Sequence, residues 1–63
     1  MDKKYLKERE VAELIGRSIH TLRRDRFEGK GIPYVKIGAQ VIYPTNHVEK
    51  YLQDHLVEPE RKA

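Results

Sequence analysis

Apolar residues recur along this chain with two different periods, and the change of period divides it into elements. Val11, Leu14 and Ile15 fall at i, i+3 and i+4, the spacing of one helical face, which predicts a helix over Glu8 to Ile15. Glu8 and Glu10 suit the positive N-terminal end of that helix, and Gly16 suits the left-handed residue that stops it. Ser18 is placed to cap a second helix by accepting a first-turn amide hydrogen bond. Gly16-Arg17-Ser18 is then the whole link between the two helices. Leu22 faces the first helix, with Phe27 as the second helix's other apolar anchor. The helix stops at Gly29, where two glycines and Pro33 forbid continuation.

From Tyr34 the period becomes two. Val35 and Ile37 point one way, Tyr34 and Lys36 the other, the pattern of a half-buried strand. Gly38-Ala39-Gln40 predicts a turn and Val41-Ile42-Tyr43 the returning strand. Asn46 and Glu49 match a capping box for a third helix, whose Val48, Tyr51 and Leu52 face inward. Residues 1–5 are expected to be a flexible N-terminus, 6–56 the folded domain, and 57–63 a flexible charged tail.

Composition narrows the function classes. With 63 residues, 38% apolar and 37% charged, the chain builds one thin core under a charged surface. It is too short for an enzyme with a lid, a cofactor fold or a second lobe. The absence of cysteine rules out a disulfide or a thiolate zinc site and points to a reducing cytoplasm. No apolar run approaches the ~18 residues of a membrane span, and no signal peptide opens the chain. His47, Tyr51 and His55 share a helical stripe, but the histidines would lie about 12 Å apart along the axis, too far to ligate one ion. No cofactor and no metal is expected.

Charge is distributed unevenly. Residues 1–15 balance to zero, and residues 44–63 carry −1. Residues 16–43 hold Arg17, Arg23, Arg24, Arg26, Lys30 and Lys36 against Asp25 and Glu28, for +4. The whole net charge of +3 therefore comes from the second helix and the hairpin, the footprint of a protein that neutralises phosphates locally. A solvated basic surface is the alternative reading of the charge alone.

A short basic helix running into a small β-ribbon presents two probes to a DNA duplex. One suits the major groove, the other the neighbouring backbone or minor groove. The candidate residues on the helix are Arg17, Ser18, His20, Thr21, Arg23 and Arg24. Arginine grips guanine O6 and N7 bidentately or holds a phosphate, and His and Thr donate or accept at base edges. Lys30 and Lys36 suit phosphates, Gln40 stands at the ribbon tip, and Tyr34 either donates to a phosphate or packs. Thr21 has a backbone hydrogen bond as its alternative role and Arg26 an acidic partner. Asp25, which phosphate repels, orients an arginine or packs against the ribbon. A protein-interaction adaptor is the competing function class, distinguished by the lack of salt-dependent DNA binding.

Several runs fall in order: Glu10-Val11-Ala12-Glu13-Leu14-Ile15-Gly16-Arg17-Ser18, Thr21-Leu22-Arg23-Arg24-Asp25-Arg26, Gly29 to Gly38, and Val41-Ile42-Tyr43. Together they resemble the excisionase and AlpA-like winged-helix family, related to the DNA-binding domain of MerR regulators, from about Leu6 to Leu52. The resemblance implies a small α+β fold of the winged helix-turn-helix kind: two helices, a β-hairpin wing and a third helix. It implies a phage or mobile-element protein that binds double-stranded DNA, bends it, and directs excision by an integrase, with a small transcriptional regulator as the alternative. Lys7 stands where that family usually has a Ser or Thr cap, which predicts a first helix that frays easily. Ala39, Gln40 and Ile42 replace residues that are commonly basic, and Tyr51 replaces a frequent Trp. No heptad seam is present, so the free chain is expected to be monomeric and to bind DNA as adjacent copies or with an integrase.

Overall fold

Tyr5-Leu6-Lys7 alternates exposed, buried, exposed, and this short run is the first strand of the sheet. The computed structural model describes residues 3–59. Six elements follow in order: β1 (Tyr5–Lys7), α1 (Glu8–Ile15), α2 (Ile19–Phe27), β2 (Val35–Ile37), β3 (Gln40–Pro44) and α3 (Thr45–Asp54). The described residues thus form a small α+β domain with three helices and a three-stranded antiparallel sheet of order β1-β3-β2.

β1 corrects the expectation of a flexible N-terminus through residue 5. Leu6 pairs with Tyr43 and Lys7 with Ile42, and Leu6 is buried in the core. The segment just before it is tied down as well. Thr45 donates from its backbone N–H to the Lys4 carbonyl at 2.8 Å and from Oγ1 to the Lys3 carbonyl at 2.6 Å. The expected tail from residue 57 has neither helix nor strand as far as Pro59, and residues 60–63 lie outside the described residues.

α1 does not start as a poorly capped helix. Lys7 has no side-chain acceptor to offer, but Glu10 Oε1 accepts the Lys7 N–H at 2.9 Å. That satisfies one orphan amide, the reciprocal half of a capping box. Gly16, at φ +72°, closes α1, and Ser18 Oγ accepts the Thr21 N–H at 3.1 Å to open α2. Ser18→Ala should lower stability by about 1 kcal/mol through the lost cap, a fall of about 5 °C in melting temperature for a domain of this size.

Leu6, Val11, Ala12, Leu22, Ile32, Tyr43 and Val48 make the core, with Ile15, Ile19, Val41 and Tyr51 packed against it. Four expectations about facing need correction. Leu14 and Leu52 are exposed rather than inward, because the core occupies a narrower sector of each helix than the apolar pattern implied. Phe27 is no anchor: it is 92% exposed. Val35 and Ile37 are both exposed, since no element of the core packs over either face of β2.

The hairpin turn is tighter than expected. Ile37 pairs with Gln40, so Gly38 and Ala39 alone make the turn, with Gly38 at φ +61°. Gln40 is the first residue of β3. α3 begins one residue before Asn46 and has Pro44 at its N-cap without a side-chain cap hydrogen bond. Its first amide is satisfied by the Lys4 carbonyl instead. None of the helices among the described residues is long and apolar enough to cross a membrane.

Candidate nucleic-acid interface

α2 turns Leu22 into the core, and helical spacing then fixes what it turns outward. His20, Arg23, Arg24 and Phe27 stand three or four residues apart on one face, and all four are exposed. Asp25 lies on the other side, half-buried. It abuts Gly31, where φ is +94° and a Cβ would come within 3.1 Å of Asp25 Cβ. The acidic residue inside this basic helix is therefore turned away from the cationic stripe, against the loop between α2 and β2 rather than against the hairpin.

The two arginines of the stripe are not equivalent. Arg23 is held by Glu8 on α1: its Nη2 donates to Oε1 at 3.0 Å and its Nε to Oε2 at 3.3 Å. Two of five guanidinium donors are thereby engaged, and the side chain as a whole is exposed. Arg24 has no acidic partner within ion-pair distance among the described residues. It is the freer cation, and Arg23 the better oriented one.

Glu8 binds a second arginine. Arg26 Nη1 lies 2.8 Å from Glu8 Oε2 and donates to the Tyr43 hydroxyl at 2.7 Å. The Arg26 guanidinium also stands over the Tyr34 ring, 5.6 Å from its centroid, which is cation–π range. Side-chain exposure is 16% for Arg26 and 17% for Glu8, so this charge pair is largely removed from water and ties α1, α2 and β3 together. Arg26 thus takes an acidic partner, and Tyr34 packs at one face while its other side remains exposed.

Burial by itself raises the Glu8 carboxyl, but hydrogen bonds and charge from Arg23 and Arg26 outweigh it and hold the group below its ordinary value of 4.5. Burial also pushes the Tyr43 hydroxyl up, against the opposing hydrogen bond from Arg26. A carboxyl with a depressed native pKa stabilises the fold above its unfolded pKa, and that stability is lost as pH falls through the native one. Glu8→Gln should therefore lower stability by about 1–2 kcal/mol near neutral pH. It should also flatten the fall in melting temperature between about pH 5 and pH 3. A parallel acid limb in both proteins would show that Glu8 does not contribute it.

The other candidates distribute around this cluster. A shallow groove of about 660 Å³ runs between α2 and the β2–β3 hairpin and brings Arg23, Tyr34 and Lys36 together with Phe27 and the Gly38–Ala39 turn. Lys36 is exposed on β2 and has no ion-pair partner among the described residues. Gln40 lies in a second depression with Arg23, Glu8 and Arg9. Lys30 pairs with Glu28 at 3.1 Å, both exposed. Arg17 and Ser18 stand at the opposite end of α2, and the Ser18 and Thr21 hydroxyls share a 3.0 Å hydrogen bond, so these two build the helix start.

Sequence reasoning missed Glu8 as the organiser of the arginines and Phe27 as a member of the outward stripe. Comparison with protein-family models, curated proteins and solved structures finds no match to this chain.

Proposed function

We propose that this chain is a double-stranded DNA-binding protein of winged helix-turn-helix form. α2 enters the major groove and the β2–β3 hairpin lies along the adjoining backbone. One observation carries the reading: the outward stripe of α2 continues across the groove to Lys36, with Asp25 turned inward and Arg24 and Lys36 without an acidic partner among the described residues. On this reading Arg23, with His20, faces base edges. Arg17, Arg24, Lys30 and Lys36 hold phosphates, and Tyr34 steadies the wing through Arg26.

The role we assign is that of an excisionase-type protein, which bends DNA and directs excision by an integrase. Its sequence motifs support this. One module of these dimensions buries only about 600–1,000 Å² on DNA, so selective occupancy calls for neighbouring copies or a partner on adjoining sites. Copies in successive grooves would bend the duplex toward the geometry that excision needs.

Affinity for duplex DNA measured across a salt series tests the core of the proposal. About four phosphate contacts per module give a log–log slope of about −3 to −4. Binding that ignores salt, or no binding at all, would favour an adaptor that touches only protein. Duplexes carrying one, two and three sites then test the array: affinity per site should rise with site number.

A further inference from the structure

The outward stripe of α2 ends in an aromatic ring that the fold leaves bare. Phe27 is 92% exposed, yet it sits at the last residue of a helix whose other apolar residues pack inward. Helical spacing puts it one turn beyond Arg23 and Arg24 on the same face. Across the groove from it stand Lys36 and the Gly38–Ala39 turn. Its surroundings are cationic. A ring framed by guanidinium and ammonium groups is a poor match for an apolar protein surface. It suits a polyanion that carries apolar groups between its charges. The major groove offers one such group, the C5-methyl of thymine, set between two rows of phosphates.

We propose that Phe27 reads sequence at the C-terminal end of α2 by packing against the C5-methyl of a thymine. The inference rests on the DNA-binding reading above and adds to it a base, a position on the helix, and a contact that carries no charge. Arg24 and Lys36 supply attraction to any duplex; Phe27 supplies preference for one.

The probe is the duplex that the full chain enriches from a random-sequence pool, together with copies in which each thymine in turn is replaced by deoxyuridine. That replacement removes only the methyl. Wild type should lose about fourfold in affinity at one position, the worth of one buried methyl group. Phe27→Ala should bind the unmodified duplex about tenfold more weakly and be indifferent to deoxyuridine at that position. It should keep the wild-type salt slope, because an apolar contact releases no counterion. Arg24→Ala should do the reverse, flattening the slope and keeping the deoxyuridine sensitivity. Phe27 being exposed, its variants should show the wild-type circular dichroism spectrum.

Equal sensitivity of Phe27→Ala and wild type to every replacement would overturn the thymine contact and leave DNA binding standing. Weaker self-association of Phe27→Ala in sedimentation, with DNA affinity unchanged, would assign the ring to a second copy of the chain and also overturn it. Failure of wild type to enrich any duplex would remove the DNA-binding reading itself.

Discussion

Tyr43→Ala should leave the chain unfolded at room temperature. Tyr43 is 1% exposed and is among the largest fully buried side chains, on β3 where Leu6 pairs across from it. Its ring fills the core and its hydroxyl accepts from Arg26, so truncation opens a cavity and leaves a largely buried guanidinium with one partner fewer. The cavity alone costs about 3–5 kcal/mol, and a core of this size supplies a net of only about 3–5 kcal/mol. Tyr43→Phe separates the two effects. It keeps the ring, loses the acceptor, and should cost about 1–2 kcal/mol. Far-ultraviolet circular dichroism and urea titration of both variants check this. A folded Tyr43→Ala with a midpoint near that of wild type would mean that the core does not depend on this ring.

On the binding side, the largest expected effect comes from removing Arg24 and Lys36 together. Arg24→Ala combined with Lys36→Ala should weaken duplex binding about a hundredfold at moderate salt and reduce the salt slope by about two units. Both side chains are exposed and neither has an ion-pair partner among the described residues, so the double variant should melt like wild type. Arg23→Ala should behave differently. It breaks the contact with Glu8 as well, so its loss of affinity should come with a measurable loss of stability. Unchanged affinity in the double variant would take α2 and β2 out of the interface.

Local features of the fold were legible in the sequence, and those that depend on distant partners were not. Gly16 and Ser18 mark the α1–α2 link because a left-handed residue and a capping hydroxyl are local demands of the backbone. β1 left almost no trace: three residues cannot establish a period, and its partner strand lies more than thirty positions away. The start of α3 at Thr45, one residue before Asn46, was hidden for the same reason, since the Thr45 amide that opens the helix is held by the Lys4 carbonyl, a distant partner. In β2 the alternation of Val35 and Ile37 was read as a covered face, but alternation does not say whether anything packs on that face.

The candidate site divides along the same line. That Arg23 and Arg24 share an outward face follows from Leu22 facing inward, which the sequence pattern provided. Phe27 stands five residues after Leu22, about 140° around the helix at 3.6 residues per turn, so helical geometry already placed it with the arginines rather than with the core. Its hydrophobicity had weighed more than its angle. Glu8 was legible only as a favourable charge at a helix start. Its grip on Arg23, fifteen positions away, exists only once α1 and α2 have packed.

The pairing of β1 with β3 also sets a timetable for the chain as it is made. β1 leaves the ribosome early, but the strand that flanks it and the Thr45 amide that ties down Lys4 are synthesised more than thirty positions later. Until then Leu6 has no core to enter, and closing so long a loop is a slower step than forming the local β2–β3 hairpin. The nascent helices α1 and α2 are too short to persist alone in water. Folding should therefore be a late event, completed in one step after β3 has emerged. A stalled nascent chain ending before Gln40 should be digested by protease as readily as an unstructured peptide.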